Sequence, residues 1–177
     1  MPSIFTQAVH AGERQPAPAE TPVTTPIYHS VGYLEPSAAA MEAVFAGEQA
    51  GYVYRRYESP TVDAFERAVA ALEGGEAAFA TASGMAAVNG ALMSMLRAGD
   101  HVVSSRALFG SCLYILEEIL RRFGVEVTFV DGTYLDQWRA AIRPGTRAVF
   151  FESMSNPTLE IIDIRAVSDI AHAAGAL

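Results

Sequence analysis

The chain has 177 residues, of which 51% are hydrophobic and 18% are charged, a composition that is typical of a packed globular protein and that excludes disorder throughout. Its net charge of −8, without any basic stripe, excludes nucleic acid and anionic membranes as expected partners. All twelve basic residues are arginine, so the sequence offers no lysine amine for a phosphate-binding loop or a Schiff base.

The sequence predicts a cytoplasmic protein. Cys112 is the only cysteine, so no internal disulfide can form, and no signal sequence precedes the polar stretch from Thr6 to Glu20. Residues 77–96 carry no charge, but their serine, threonine, asparagine and glycine residues favour a strand, a turn and a helix over a membrane span.

Residues 1–58 are predicted to form an extended N-terminal arm. Seven of the nine prolines lie in the first 60 residues, where apolar blocks do not alternate regularly with glycine stops. Only Ser37–Ala46 favours a helix, with its first residue as the N-cap. A disordered tail is the alternative, but Ile27 and Tyr28 belong to an apolar stretch that favours packing against another surface, such as a second subunit.

Residues 59–177 are predicted to alternate helices and strands. Ser59 caps the first helix, Pro60 suits its first position, and Gly74 ends it. The following elements are a strand at 77–81, a helix at 86–96, a strand at 101–105, a helix at 113–123, a strand at 125–130, a helix at 135–142, a strand at 147–152 and a helix at 164–174. Such units predict an α/β domain with a mainly parallel sheet, helices on both faces, and ligands bound beyond the carboxyl ends of the strands.

Another strand is expected after the last helix, at Ala176-Leu177. A parallel crossover without its returning strand leaves the helix face poorly covered and one sheet edge unpaired. We therefore expect residues 59–177 to be the first part of their domain, and the 177 residues to be the truncated front part of a longer protein.

Two segments have the chemistry to bind an anion. Ser83, Gly84 and Met85 run from a predicted strand into a helix, where free backbone N–H groups and the helix dipole favour negative charge. Tyr54 and Arg56 lie in a segment of phenols and guanidiniums just before another helix, and an arginine binds phosphate with a planar fork. The alternatives are a plain capping turn for the first segment and a solvated surface turn for the second.

Two further segments follow strand ends. Pro157 restricts Asn156 to an extended backbone, which would hold its amide toward the sheet edge, although an ordinary Asn-Pro turn is the alternative. Phe109 has the ring to stack on a planar cofactor, but a phenylalanine at such a position is more often core. No metal site is predicted, because metal-ligand spacing is absent from the four histidines, His10, His29, His101 and His172.

Together, and in this order, these segments resemble the cysteine/methionine-metabolism family of pyridoxal-phosphate enzymes. The resemblance covers nearly the whole chain and rests on the motifs Val9–Gly12, Thr25–Tyr28, Tyr54–Tyr57 with Pro60-Thr61, Ala82–Met85 and Glu152–Thr158. It implies the aspartate-aminotransferase-like (fold type I) large domain, preceded by an extended arm. Within the family, residues 109–127 look most like the O-succinylhomoserine sulfhydrylases.

The resemblance implies a site for pyridoxal 5′-phosphate. The backbone N–H groups of Gly84 and Met85, with Ser83 beside them, would hold the cofactor phosphate. Tyr54 and Arg56 would reach that phosphate from a neighbouring subunit, so the protein would be a homo-oligomer, a dimer at least and a tetramer by analogy, with shared active sites. The arm would help to cover the partner's site.

The cofactor ring would be held by the segments that follow the strands. Phe109 would stack on the pyridine ring, and Asn156 would contact the ring's phenolic oxygen, with Glu152 nearby. Many lyases and gamma-synthases of the family have a tyrosine where Phe109 stands. A phenylalanine keeps the stacking and lacks the acidic phenol, which resembles the sulfhydrylase branch.

The implied reaction is a gamma-replacement in methionine biosynthesis. A small amino-acid substrate, O-succinylhomoserine or O-acetylhomoserine, would exchange its acyl group for sulfide and give homocysteine. Cystathionine gamma-synthase and methionine gamma-lyase are the alternatives within the family. The family's Schiff-base lysine would follow Leu177, so no catalytic residue is predicted in this chain, and an inactive truncated fragment is the alternative outside enzymes.

Overall fold

The computed structural model describes residues 3–6 and 21–177, so the Val9–Gly12 motif and most of the polar stretch from Thr6 to Glu20 lie outside the described residues. The chain divides into two compact units, Met1–Ala80 and Thr81–Leu177. This division differs from the boundary predicted after residue 58, because hydrogen bonds tie the helix at residues 60–73 to the arm.

Two hydrogen bonds between described residues connect the arm to this helix. The Tyr52 hydroxyl donates to the Asp63 carboxylate at 2.7 Å, and the Tyr28 N–H donates to the Thr61 hydroxyl at 2.9 Å. The predicted contact of the arm with a partner subunit stays a prediction.

The first unit includes the helices α1 (Ala38–Phe45) and α2 (Pro60–Glu73). The Ser37 hydroxyl accepts the Ala40 N–H, and the Ser59 hydroxyl accepts the Val62 N–H, so both helices begin at a serine cap. Gly74 ends α2 in the left-handed conformation, with φ of 65°, which glycine adopts without steric cost. Both predicted helices are therefore confirmed.

The strand predicted at 77–81 is wrong. These residues form no β-ladder, and the side chain of Phe79 is 84% exposed. The Ala80 N–H donates instead to the Glu66 carboxylate at 2.6 Å. An apolar segment becomes a strand only beside a partner strand that satisfies its backbone groups, and no described strand pairs with this one.

The second unit is built around three parallel strands. In chain order its elements are α3 (Gly84–Met95), β1 (His101–Ser105), α4 (Gly110–Tyr114), a π-helical turn (Ile115–Ile119), α5 (Leu120–Arg122), β2 (Glu126–Val130), α6 (Leu135–Ala141), β3 (Thr146–Phe150) and α7 (Ile164–Ala173). The strand order is β2-β1-β3, and both pairings are parallel. The predicted parallel arrangement is confirmed.

Helices cover both faces of this sheet. On one face Val102 packs with Leu92 of α3 and Leu116 of the π-helical turn in a buried apolar core. On the other face Val103 packs with Trp138 of α6 and Val167 of α7. All six of these side chains are buried. Since neighbouring residues of a strand point to opposite faces, β1 is buried on both sides, as expected for the central strand of a covered parallel sheet.

A buried histidine joins the three strands near their amino ends. His101 Nδ1 lies 2.8 Å from the Thr146 hydroxyl of β3, and its Nε2 lies 2.9 Å from the Thr128 hydroxyl of β2. Burial lowers the pKa of His101, and the positive charge of Arg143 lowers it further. His101 therefore crosslinks the sheet as a neutral side chain.

Within the described ranges 3–6 and 21–177, every helix is too short or too polar to cross a membrane.

Candidate functional site

The loops that follow β1 and β3 are joined by one carboxylate. Glu152 Oε1 accepts the Phe109 N–H at 2.8 Å, and Glu152 Oε2 accepts the Asn156 N–H at 3.0 Å. Because β1 and β3 are parallel neighbours, the loops at their carboxyl ends lie at the same edge of the sheet. The structure thus brings together three residues that the sequence singled out. The Glu152 side chain binds the backbone N–H groups of the other two, Phe109 and Asn156.

Phe109 is positioned for contact with a planar group. It is the residue just before α4, and its side chain is 44% exposed although the neighbouring Leu108 is buried. Phe109 therefore lies outside the core that the described residues form. An exposed aromatic face at a strand end can stack on a flat ring.

Asn156 lies at the exposed end of a loop that folds back on itself. Met154 and Ile161 pair as an antiparallel bridge, and the buried Ser155 hydroxyl accepts the Glu160 N–H at 2.9 Å. These bonds fix the loop from within, so the exposed Asn156 amide is presented by a braced segment.

The amino end of α3 presents free backbone donors. The Ser83 hydroxyl accepts the Ala86 N–H at 3.2 Å, and the Ser83 carbonyl accepts the Ala87 N–H at 3.1 Å. Within the described residues, the N–H groups of Gly84 and Met85 donate to no protein acceptor. A helix of 12 residues that begins with two free N–H groups has the geometry of an anion site.

Gly84 leaves open space at this end of α3. A Cβ at this position would meet nothing within 4 Å, so packing inside the described chain does not require a glycine here. Met85, the next residue, packs against the same apolar core as Leu108 and Cys112. The start of α3 and the segment that leads to Phe109 are therefore anchored in one core.

Tyr54 and Arg56 lie in the first unit, in a tight turn. The Tyr57 N–H donates to the Tyr54 carbonyl at 2.9 Å, so Arg55 and Arg56 are its central residues. The turn follows a short antiparallel pairing, in which the Arg55 N–H donates to the Val31 carbonyl at 2.8 Å. The Arg56 Cζ lies 5.1 Å from the Tyr54 ring centroid, within cation–π range.

Sequence reasoning missed a polar cluster beside this turn. The Asp63 carboxylate accepts the Tyr52 hydroxyl at 2.7 Å and the Arg67 Nε–H at 2.8 Å. The hydrogen bond to Asp63 raises the pKa of Tyr52 to about 12, and burial adds to this effect. The spacing of Asp63 and Arg67 on α2 was a sequence signal for the ion pair, whereas the contact with Tyr52 joins separate segments.

Cys112 has the environment of a structural thiol. It is buried, and burial raises its pKa, with the negative charge of Glu152 adding to the shift. A raised thiol pKa disfavours the nucleophilic thiolate. In the part of the chain that the structure describes, no three side chains of the metal-ligating types converge on one point.

A family profile and similar sequences of known proteins match most of this chain. The sequence profile of the family described as "Cys/Met metabolism PLP-dependent enzyme" matches residues 5–177. The O-succinylhomoserine sulfhydrylase of Mycobacterium tuberculosis is 53% identical over 150 residues, which are 85% of this chain and 37% of that protein. The L-methionine gamma-lyase of Fusobacterium nucleatum subsp. polymorphum is 42% identical over 169 residues, 96% of this chain and 42% of that protein.

A similar fold occurs in a crystal structure of a putative O-acetylhomoserine (thiol)-lyase from Campylobacter jejuni, with N′-pyridoxyl-lysine-5′-monophosphate. It matches with a TM-score of 0.79 and 34% identity, over 86% of this chain and 38% of that one. This likeness confirms the fold class predicted from the sequence. The chain spans about two fifths of the length of the relatives that it matches.

Proposed function

Because this chain belongs to the Cys/Met metabolism PLP-dependent enzymes, we propose that the full-length protein carrying it replaces the acyl group of an O-acylated homoserine with sulfide, giving homocysteine. The family's cofactor is pyridoxal 5′-phosphate, and its fold is the type I fold of pyridoxal-phosphate enzymes. The substrate is O-succinylhomoserine or O-acetylhomoserine, as in the sulfhydrylases that resemble this chain.

The start of α3 carries this proposal. Two free N–H groups, Gly84 and Met85, point out of a helix end where a side chain would meet open space. This arrangement fits a phosphate group, because both donors and the helix dipole favour a dianion and no atom of the described residues lies within 4 Å of a Cβ placed at Gly84. Ser83 adds a hydroxyl hydrogen, since its oxygen serves the helix cap as an acceptor.

The segments after β1 and β3 suit the ring of the same cofactor. The exposed face of Phe109 stacks on the pyridine ring, and the Asn156 amide donates to its phenolic oxygen. Glu152 keeps both residues at fixed spacing through its two backbone hydrogen bonds. When bound, pyridoxal phosphate supplies the electron sink for the reaction, and these residues orient it and exclude water from one ring face.

Position 109 favours the sulfhydrylase reaction. A phenylalanine cannot donate or accept a proton, so this chain lacks the phenol that many lyases and gamma-synthases carry there. The second candidate is a methionine gamma-lyase, favoured by the 42% identity to such an enzyme over nearly the whole chain. Cystathionine gamma-synthase differs only in using cysteine as the nucleophile.

The first unit supplies residues for a partner's site. We place Tyr54 and Arg56 at the cofactor phosphate of a neighbouring subunit, in a homo-oligomer in the cytoplasm. Exposed apolar side chains in this unit support a buried role in the assembly: Phe65 is 60% exposed and Leu72 is 86% exposed. Large apolar surface of this kind marks protein interfaces.

Activity assays on the full-length protein test this proposal. These 177 residues contain no lysine for a Schiff base, so the complete reading frame is required. The enzyme, supplied with pyridoxal phosphate, is given each homoserine ester with sulfide, and homocysteine is measured. Parallel reactions replace sulfide with cysteine or supply methionine alone.

The three reactions separate the candidates. Homocysteine formed from sulfide at the highest kcat/KM supports the sulfhydrylase. Faster formation of cystathionine indicates the gamma-synthase, and cleavage of methionine as the main activity indicates the lyase. Failure of all three with cofactor-loaded protein contradicts the proposed activity and favours a noncatalytic product.

A further inference from the structure

Arg56 differs from the ion-paired arginines of the chain in its neighbours. Among the described residues, four arginines bind a carboxylate within 4 Å, for example Arg67 with Asp63 and Arg139 with Asp136. In residues 21–177, which the structure describes, Arg56 makes no such pair, and its contacts are aromatic. Its guanidinium N–H groups therefore remain available to an anionic ligand.

Tyr57 is the second aromatic contact of Arg56. The Arg56 Cζ lies 5.4 Å from the Tyr57 ring centroid, close to its 5.1 Å distance from Tyr54. Both rings stand at the ends of the same turn, so one backbone hydrogen bond brings both of them to the guanidinium. A guanidinium over a ring face keeps its in-plane N–H groups free, and these are the groups that bind phosphate.

Tyr57 is itself held by a helix. Its ring lies 6.1 Å from that of Phe45, at an interplanar angle of 85°, which is the favoured edge-to-face arrangement. Phe45 is the last residue of α1, whose start is fixed by the Ser37 cap. A chain of contacts thus leads from a capped helix through two aromatic rings to Arg56.

We propose that Tyr57 is a positioning residue whose ring, supported by Phe45, orders the Arg56 guanidinium for binding a phosphate group. This proposal rests on the proposed placement of Arg56 at the cofactor phosphate. A free arginine side chain loses much rotamer freedom when it binds, and a side chain already held over two rings loses less. Tyr57 therefore strengthens phosphate binding without contacting the phosphate.

Ligands with and without the phosphate test this role. The apo form of the full-length protein is titrated with pyridoxal phosphate and with pyridoxal, which has the same ring but no phosphate. Tyr57→Leu is expected to raise the Kd of pyridoxal phosphate about two- to five-fold, the worth of one exposed cation–π contact, and to leave the Kd of pyridoxal unchanged. Tyr57→Phe and Tyr57→Trp keep a ring and should retain most of the affinity.

Two further variants act as controls. Tyr134→Leu removes a tyrosine of similar exposure, 61% against 64%, that lies in the second unit and should change neither Kd. Arg56→Gln should weaken the binding of pyridoxal phosphate but not of pyridoxal. In the Arg56→Gln background, Tyr57→Leu should have no further effect, because Tyr57 acts through the guanidinium.

The outcomes separate this proposal from the one on which it rests. If Arg56→Gln does not weaken the binding of pyridoxal phosphate more than that of pyridoxal, the placement of Arg56 and the role of Tyr57 both fail. If Arg56→Gln weakens the binding of pyridoxal phosphate more than that of pyridoxal, and Tyr57→Leu does not, only the role of Tyr57 fails. Equal loss of both ligands, or an additive effect in the double variant, shows a merely structural role.

A second route covers the case in which Tyr57→Leu fails to fold. Phe45→Leu leaves Tyr54, Arg56 and Tyr57 unchanged and removes only the support of the Tyr57 ring. It should give a smaller loss that is also selective for the phosphate. The proposal is overturned if pyridoxal phosphate binds with unchanged affinity to folded Phe45→Leu and to the folded non-aromatic variant Tyr57→Gln.

Discussion

Replacing the Glu152 carboxylate should loosen two loops at once. Glu152→Gln keeps the shape of the side chain, but its single amide oxygen can accept only one of the two N–H groups now bound at 2.8 Å and 3.0 Å. The amide NH2 group then faces the other donor. A hydrogen bond to a carboxylate contributes about 1.5–3 kcal/mol when well buried.

Both bonds of Glu152 lie in a partly exposed region, so about 1 kcal/mol for each is the appropriate value. We expect Glu152→Gln to lower the free energy of unfolding by about 1 kcal/mol and Glu152→Ala by about 2 kcal/mol. Because Phe109 and Asn156 lose a shared anchor, the affinity for pyridoxal phosphate should fall about five-fold in Glu152→Gln.

Urea denaturation of the full-length apo protein, at one fixed protein concentration, measures the stability change. Glu117→Gln is the matched control, since the Glu117 side chain is exposed and makes no hydrogen bond or ion pair within the described residues. It should stay within about 0.5 kcal/mol of the unmodified protein. Equal midpoints for Glu152→Gln and Glu117→Gln, with equal cofactor affinities, would refute the bridging role.

Four other substitutions give distinct signatures. Gly84→Ala should raise the free energy of unfolding by about 0.5 kcal/mol, because alanine favours the helix and its Cβ meets open space. The same substitution should weaken the binding of pyridoxal phosphate at least ten-fold. Gly90→Ala is the control, which should stabilise α3 without changing the affinity for pyridoxal phosphate. Gly132→Ala should cost about 1–2 kcal/mol in urea unfolding, since its Cβ would lie 2.7 Å from Ser105 Oγ. The lowered pKa of His101 means that the unfolded chain binds the extra proton first, so stability should fall as pH drops below about 6.5, and His101→Gln should remove that slope.

Signals confined to one segment predicted their elements well. Ser37 and Ser59 cap the helices that they were expected to cap, since a capping hydroxyl needs only a neighbour three residues away. The strand predicted at 77–81 failed for the opposite reason. Its alanine and phenylalanine pattern fits a strand, but β-structure depends on a partner segment that local pattern does not specify.

In the candidate site too, features within one segment were predicted from the sequence and contacts between segments were not. Free N–H groups at Gly84 and Met85 follow from the helix start and were foreseen. The bridge made by Glu152 joins loops from different strands, and the contact of Tyr57 with Phe45 joins a turn to a helix end. Such contacts depend on tertiary packing, so residue type and spacing did not reveal them.

The crosslinking histidine and the bridging glutamate have a consequence for how this protein can change. They lie at opposite ends of the central sheet, and β1, with five residues, extends about 13 Å between those ends. Substitutions separated by more than about 10 Å usually combine additively. Mutations at the amino ends of the strands can therefore change the stability of the protein to heat and acid, while mutations at the carboxyl ends change which ligands it binds. The two kinds of change are largely independent of each other.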